Sequence, residues 1–205
     1  MENREADTRE RILAAGRREF LEKGFRDASL RSIVREAGVT TGAFYGYYHS
    51  KAELFDALVE HPYRELMDRF IGVQEDFTTL SPEQQLAGVG EVSGQAMDEM
   101  LQYVYDHFEA FKLLTCCAEG TRYEQMIHQM VEIEVQSTHR FVELLRANSL
   151  PVREVDPELE HLLCSGLFTA FFGTVVHDMP RRKAAGYVRE LRDFYTAGWK
   201  KIMGL

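Results

Sequence analysis

The sequence of 205 residues is poor in cysteine, proline and glycine, and each shortage excludes a class of protein. Three cysteines (Cys116, Cys117 and Cys164), two of them adjacent, cannot supply a disulfide framework, which favours a reducing compartment. With only 5 Pro and 15 Gly, no stretch alternates polar and apolar residues for long enough to predict a strand. The chain is therefore predicted to be all-α.

The sequence predicts neither a membrane-spanning helix nor a leader segment. The most apolar segment, residues 161–178, has a His at each end and is shorter than the roughly 20 apolar residues that cross a bilayer. The first twenty residues carry charges of both signs instead of a basic end followed by an apolar run. We therefore expect a cytoplasmic protein without a membrane partner, in which residues 161–178 form a buried helix.

The local signatures of enzymes and metal sites are absent as well. The sequence has no Gly-rich phosphate loop, nucleophile elbow or dinucleotide fingerprint. His107, Cys116, Cys117 and His128 do not reproduce the spacing of C-x2-C or H-E-x-x-H zinc ligands. We predict no enzyme, no cofactor and no metal, and a helical enzyme without a local signature is the remote alternative.

The charge is divided unevenly along the chain. Its formal net charge is -9, yet residues 1–51 hold ten Lys and Arg against eight Asp and Glu, a net +2, so the remainder carries -11. A mildly basic N-terminal segment therefore precedes a strongly acidic body, and the overall sign does not exclude nucleic acid as a partner of the former.

Capping residues divide the N-terminal segment into short helices. Asp7 with Glu10 predicts the start of a first helix that ends at Gly24, and Ser29 predicts the start of a second that ends at Gly38. Thr40 or Thr41 opens a third helix through about residue 48. The capping box of residues 50–53 opens a fourth, to about residue 70. Longer helices follow at about 82–105, 107–118, 122–147, 157–177 and 181–203.

Two short helices joined by a turn with Gly, with a first helix behind them, are typical of a helix-turn-helix that places its second helix in the DNA major groove. The stretch AGVTTGAFYGYYHSKAEL (37–54) fits this use, because Thr40, Thr41, Gly42 and Ala43 are small enough for the helix end to approach bases. Phe44 and Tyr48, four residues apart, are predicted to pack inward. Tyr45, Tyr47 and Lys51 in this stretch, and Arg31 in the preceding helix, are candidate phosphate contacts.

Residues 8–60 resemble the N-terminal DNA-binding domain of the TetR family of bacterial transcriptional regulators. The resemblance covers SLRSIVREAGVTTGAFYGYYHSKAEL nearly end to end, although Gly46 stands where many members have a basic or bulky residue. It implies DNA contacts at Arg31, Thr40, Thr41, Gly42, Ala43, Tyr45, Tyr47 and Lys51, with the turn set by Gly38 and Val39. It also implies a helix-turn-helix domain over residues 1–52 and a larger helical ligand-binding and dimerisation domain over residues 53–205.

A single helix-turn-helix reads few base pairs, so we expect a homodimer on two half-sites. Small residues in the apolar helix and an aromatic stripe in the last helix predict the interface, with intrachain core as the alternative. The candidate interface residues are Gly166, Ala170, Gly173, Thr174, Leu191, Tyr195 and Trp199.

Polar groups that interrupt apolar helix faces predict a pocket for a small effector. The candidates are Tyr103, His107, Cys116, Glu134, Thr138, Phe171 and His177. The sequence thus predicts a regulator, most simply a repressor, that binds a palindromic operator in double-stranded DNA and is released by a hydrophobic or aromatic effector. The alternative is a constitutive DNA-binding or adaptor dimer, or an activator, without an effector.

Overall fold

The fold is built from helices alone in the part of the chain that the computed structural model describes, residues 2–88 and 91–205. The helices are α1 (Glu2–Asp27), α2 (Leu30–Glu36), α3 (Thr41–Tyr45), α4 (Lys51–Thr78), α5 (Pro82–Gly88), α6 (Glu91–Asp106), α7 (Phe108–Cys116), α8 (Met126–Ala147), α9 (Pro157–Val176) and α10 (Arg181–Met203). The predicted all-α fold is confirmed. Residues 89 and 90, inside the expected 82–105 helix, lie outside the described residues.

Local capping chemistry sets most of the helix starts. Ser29 accepts the Ser32 amide at the start of α2, and Thr40 accepts the Ala43 amide at the start of α3. At the start of α4 Ser50 accepts the amide of Glu53, whose carboxylate in turn accepts an amide from the residue before Ser50. These predicted caps are confirmed.

The predicted start of the first helix is wrong, because α1 begins at Glu2 instead of at Asp7. Asp7 pairs with Arg11 at 3.3 Å, and the Thr8 hydroxyl accepts from the same guanidinium, so neither side chain caps a helix end. An acidic and a basic residue four apart stabilise a helix from within. The predicted end at Gly24 is visible as a kink with φ 73°, after which helix continues to Asp27.

The chain divides into two compact units. Unit 1 contains residues 1–64 and 107–124, and unit 2 contains residues 65–106 and 125–205. The expected functional boundary at residues 52 and 53 falls inside unit 1. Helix α7, expected in the larger domain, belongs to unit 1, and α4 supplies residues to both units.

Unit 1 is held together by contacts between α1 and the segment that includes α7. The Phe25 amide donates to the Cys117 carbonyl at 2.9 Å, and Arg17 pairs with Glu109. Tyr123, from the end of the same segment, is 2% exposed and packs its ring against Phe55. The N-terminal helices therefore share one apolar core with residues 107–124, which are distant in sequence.

Unit 2 is built around α8, α9 and α10. Helix α9 packs against both of its neighbours, and α10 also packs against α6. By length and composition alone α9 could cross a membrane, as core helices also can. Phe168, Phe171 and Phe172 on this helix are at most 3% exposed, as expected for the buried helix predicted at residues 161–178.

Candidate nucleic-acid interface and internal cavity

The turn between α2 and α3 is fixed by one glycine and one arginine. Gly38 has φ +64°, a backbone conformation that side chains with a Cβ rarely adopt. The following amide, of Val39, donates to the Val34 carbonyl at 3.0 Å. From α1 the Arg11 guanidinium donates to the Ala37 carbonyl at 2.9 Å. The turn is therefore held from within and from the helix behind it.

A buried carboxylate on α1, that of Glu19, fixes the start of α2 through hydrogen bonds. Glu19 on α1 is 3% exposed and accepts the Ser29 amide at 2.9 Å and the Lys23 ammonium at 2.8 Å. Burial by itself raises the pKa of Glu19, but these hydrogen bonds outweigh it and the pKa lies below its usual value. The carboxylate is thus ionised at neutral pH and joins α1 to α2.

Two buried aromatic side chains anchor α3 to the interior of unit 1. Phe44 is fully buried and Tyr48 is 4% exposed, with their ring centroids 5.9 Å apart, so the predicted inward packing is confirmed. The other face of α3 is open, because Thr41, Gly42 and Ala43 are exposed. A short helix of small residues is therefore presented to solvent on an aromatic base.

The remaining residues expected at DNA lie around this open face. We call Arg31, Thr40, Thr41, Gly42, Ala43, Tyr45 and Tyr47 the α2–α3 surface. All of them are exposed except Tyr47, which is half-buried. Arg31 has no ion pair among the described residues, and Tyr45 is 47% exposed with its ring edge against Phe44. Free guanidinium, hydroxyl and backbone donors of this kind can bind phosphates and base edges.

Lys51, expected as a clamp on the DNA backbone, is engaged inside unit 1. Its ammonium donates to the carbonyls of Arg26 and Ala28 at 3.1 and 2.9 Å and lies 4.6 Å from the centroid of the Phe25 ring. Burial lowers the pKa of this ammonium. Lys51 therefore closes the end of α1, and two of its three donors are already used.

Unit 2 contains a cavity of about 430 Å³ between α4, α6, α8, α9 and α10. Its larger apolar lining residues are Leu66, Phe70, Val73, Phe77, Met97, Met100, Phe141, Leu167, Phe168, Phe171, Trp199 and Met203. Of the predicted ligand residues, Glu134, Thr138 and Phe171 line it. A volume of this size and a mostly apolar lining are typical of sites for small organic molecules.

The other four predicted ligand residues lie elsewhere. Tyr103 is 8% exposed and packs its ring under the Arg69 guanidinium, outside the lining set. His107 and Cys116 belong to unit 1, at the two ends of α7, and His177 is exposed at the end of α9. Each interrupts an apolar pattern because it stands at or near a helix end, not because it faces the cavity.

Polar groups of the cavity centre on Glu134, which accepts the Gln74 amide at 2.7 Å. Burial raises the pKa of this carboxyl to about 7, the Gln74 bond acts against the shift, and neighbouring Glu160 adds to it. Gln74 and Glu160 were not predicted from the sequence, since Gln74 follows no motif and Glu160 reads as a first-turn residue of α9.

A fully buried carboxyl, Glu160, lies close to Glu134. It is 1% exposed, and one of its oxygens is 2.6 Å from His139 Nε2 while the other, Oε1, has no hydrogen-bond partner among the described residues. Burial raises the pKa of Glu160, although His139 opposes the shift. The thiol of Cys164, one turn further along α9, also has a raised pKa because of burial and these two carboxyls.

The residues expected at a dimer interface fall into two groups: some have contacts within unit 2, and others are at least partly open to solvent. Thr174 is 4% exposed and its hydroxyl donates to the Phe171 carbonyl, so it lies inside unit 2. Tyr195 and Trp199 line the cavity, and a Cβ at Gly166 would meet the Tyr195 hydroxyl at 2.6 Å. These four residues therefore have contacts within unit 2 of their own chain. Ala170 is exposed, Gly173 has open space around it, and Leu191 is partly buried.

Larger apolar side chains on the same helices are open to solvent. Leu162 on α9 is 67% exposed, and Phe194 and Tyr187 on α10 are 71% and 50% exposed. Tyr187 and Phe194 belong to the aromatic stripe predicted in the last helix. The sequence analysis missed Leu162, because α9 is apolar all round and its periodicity does not distinguish one face from another.

One group of side chains in unit 2 could hold a divalent cation. His128 and Glu132 on α8 and His161 on α9 bring three ligand atoms within 4.8 Å of one another. The expectation of no metal site considered only local motifs, whereas these residues meet through helix packing.

Comparison with known proteins identifies the N-terminal segment. Residues 12–58 match the family described as bacterial regulatory proteins, tetR family. The chain is 39% identical over 59 residues to the transcriptional regulator YdgC of Bacillus subtilis, covering 29% of this chain and 30% of the relative. It is 38% identical over 65 residues to the transcriptional repressor BepR of Brucella suis, covering 30% and 31%. These two matches therefore span under a third of each relative's length.

Longer matches extend the likeness to the body. The regulator TtgW of Pseudomonas putida is 27% identical over 143 residues, covering 68% of this chain and 92% of the relative. The structure of the regulator PfmR from Thermus thermophilus has a TM-score of 0.59 at 17% identity, covering 91% of this chain and 94% of that one. The structure of FadR from Bacillus subtilis in complex with stearoyl-CoA has a TM-score of 0.54 at 14% identity, covering 92% and 97%. Residues 12–58 thus match the tetR family of bacterial regulatory proteins, and the all-helical fold of the chain is shared with solved structures of such regulators.

Proposed function

We propose that the protein is a homodimeric transcriptional repressor that binds a palindromic operator through its α2–α3 surface. The observation that carries the proposal is the open face of α3, where Thr41, Gly42 and Ala43 are exposed above the buried Phe44 and Tyr48. Side chains of this size let a helix end approach base edges in the major groove. The relative BepR is itself named a transcriptional repressor.

In this proposal Arg31, Tyr45 and Tyr47 bind phosphates, and Thr40 to Ala43 lie closest to the bases. Phosphate contacts position a protein on DNA without reading its sequence, whereas base contacts give specificity. Two copies place their α3 helices in successive major grooves about 34–36 Å apart, or at a related spacing. Lys51 contributes by closing the end of α1, with one donor left for a phosphate.

The two copies associate through the exposed apolar side chains of α9 and α10. Leu162, Tyr187 and Phe194 supply the apolar area, and Ala170 and Gly173 leave room for a helix of the partner to approach. Leu162→Glu is expected to convert the dimer to a monomer in light scattering, while Glu143→Gln, an exposed substitution on α8, leaves the dimer intact.

A small effector that enters the unit 2 cavity reduces operator affinity. It does so only to the extent that it binds one conformation of the dimer better than the other. Helix α4 contains residues of both units and is one covalent connection through which such a change reaches the α2–α3 surface.

Fluorescence-anisotropy titration on DNA from the protein's own upstream region, at two salt concentrations and with nonspecific competitor, tests DNA reading. We expect saturable binding with two chains per site. Arg31→Ala and Tyr45→Phe should weaken binding to all sequences and reduce the salt dependence. Thr41→Ala should change the sequence preference. The control variant is Lys200→Ala, in the last turn of α10, which should bind DNA like the wild type. Uniform weakening by Thr41→Ala would exclude its base-reading role.

The alternative of a constitutive or activating dimer without an effector makes a different prediction. A screen of apolar and aromatic compounds by thermal shift would then give no stabiliser, whereas an effector at one hundred times its Kd stabilises by about 2.7 kcal/mol.

A further inference from the structure

Glu134 is the one acidic side chain of the described cavity lining that is partly buried. Asp76 and Glu99 also belong to the lining, but both are exposed. The hydrogen-bond partner of Glu134 is the neutral amide of Gln74. Even partial burial of a carboxylate without a cation beside it carries a desolvation cost.

The cationic side chains of the lining are already engaged elsewhere. Arg69 pairs with Glu65 at 2.8 Å, and Arg192 contacts Asp193 at 2.9 Å and Asp98 at 3.7 Å. Neither guanidinium has a hydrogen bond or ion pair with Glu134 among the described residues. The charge of Glu134, when ionised, is therefore not compensated by the lining.

The surroundings of Glu134 increase this deficit of positive charge. Glu160 interacts with it unfavourably, and the Oε1 atom of Glu160 is itself buried without a hydrogen-bond partner in the described chain. The thiol of Cys164, which lies on α9 with Glu160, has a pKa raised by burial and by the two carboxyls, so it stays neutral and supplies no positive charge. His139 contacts the other oxygen of Glu160 at 2.6 Å, from a side chain that is 51% exposed.

We propose that the unit 2 cavity binds a small organic cation with an apolar or aromatic body, and that the charged end of this ligand lies against the Glu134 carboxylate. The regulatory consequence rests on the proposed function above. The cation supplies the missing countercharge, and its body occupies the surface formed by Phe168, Phe171 and Trp199. Anionic amphiphiles are excluded, because their head group would meet a second negative charge at Glu134.

Binding of the cation is coupled to loss of a proton. The Glu134 carboxyl has a pKa of about 7 without ligand, since burial opposes its charge, and an adjacent cation favours the ionised form. The other groups that interact with Glu134 are Gln74, Glu160 and Cys164. The remaining titratable or charged side chains of the lining are Arg69, Asp76, Glu99, Arg192 and Tyr195. Affinity for the cation is therefore expected to rise with pH through about 7, whereas affinity for a neutral ligand stays constant.

Two isosteric probes test the proposal on the full-length protein. Phenyltrimethylammonium and tert-butylbenzene have the same shape and differ in one atom and one positive charge. Trp199 lines the cavity and is the only tryptophan of the chain, so its fluorescence reports occupancy directly. At pH 8 we expect the cation to bind about tenfold or more tightly than its neutral isostere, as for one charge-assisted contact of about 1.4 kcal/mol.

Glu134→Gln should abolish this preference and leave binding of tert-butylbenzene unchanged. Glu99→Gln, at an exposed acid of the same lining, is the matched control and should keep the preference. In the wild type, lowering the pH to 5.5 should remove the preference as well, which tests the idea without any substitution. Equal affinities at pH 8, a preference that survives Glu134→Gln, or no binding of either probe would overturn the proposal.

Operator titrations in the presence of the cation separate this proposal from the proposed function. Cation binding that leaves operator affinity unchanged would confirm the site and contradict its role as an effector site. Failure to bind any operator would contradict the proposed function while the fluorescence result still decides the chemistry of the cavity.

Discussion

Glu134→Gln is expected to make the stability of the protein less dependent on pH. Glutamine has the shape of a protonated glutamate and retains an oxygen that accepts the Gln74 amide, which is now 2.7 Å away. It carries no ionisable proton, so the variant removes the titration while keeping the packing. Any difference in pH dependence between the two proteins then belongs to this one carboxyl.

The magnitude follows from the shift in pKa. A rise from 4.5 to about 7 is equivalent to about 3 kcal/mol, at 1.36 kcal/mol for each pKa unit. Because the folded pKa is raised, the folded state holds its proton over a range where the unfolded chain has lost it. Stability therefore falls as the pH rises from about 4.5 to about 7 and is constant above. Partial access of water through the cavity reduces the effect, and we expect about 2 kcal/mol.

Urea unfolding between pH 5 and pH 8, followed by circular dichroism and by Trp199 fluorescence, measures this difference. The wild type should lose about 2 kcal/mol more than Glu134→Gln over the range. Glu143→Gln, an exposed carboxyl on the same helix, should behave like the wild type. If the wild type and Glu134→Gln give parallel pH profiles, Glu134 is not a buried, uncompensated carboxyl and the reasoning about the cavity is wrong.

Three further substitutions test the construction of unit 1 by urea unfolding in the absence of DNA. Gly38→Ala should cost about 1–2 kcal/mol, because φ +64° is strained for alanine, and an unchanged midpoint would contradict this account of the turn. Lys51→Met should cost about 1–2 kcal/mol through two lost hydrogen bonds to carbonyls, so a loss confined to DNA binding would show that the intramolecular contacts are unimportant. Phe44→Ala should cost about 3–5 kcal/mol, and a smaller loss would mean that α3 does not depend on its aromatic base.

The parts of the fold that could be predicted are those decided by neighbours in sequence. Ser29, Thr40 and Ser50 cap helices with amides three residues away, and Gly38 ends α2 through its own backbone conformation. Such interactions need no knowledge of tertiary structure. Even here a long-range or competing partner changes the result, as at Asp7, whose pairing with Arg11 lets α1 begin earlier.

The cavity was only partly predictable, because it depends on which face of each helix turns inward. Glu134 and Thr138 interrupt the apolar stripe of an amphipathic helix, and this signal placed them correctly in the lining. Tyr195 and Trp199 belong to an aromatic stripe that would serve a partner helix or an internal cavity equally well. Gln74, from a different helix, enters the site only through packing.

The discontinuous composition of unit 1 has a consequence for synthesis on the ribosome. N-terminal domains commonly fold first, as soon as they emerge. Here the N-terminal helices need the carbonyl of Cys117 and the ring of Tyr123 to complete their core, and these residues emerge only after about three fifths of the chain has been made. A nascent chain stalled before residue 107 should therefore remain sensitive to protease in α1 to α3, and one extended well beyond residue 124 should become resistant. The protein thus acquires its α2–α3 surface only after residues 66–100, which supply half of the cavity lining, have been synthesised, so no early fragment with a folded α2–α3 surface precedes them.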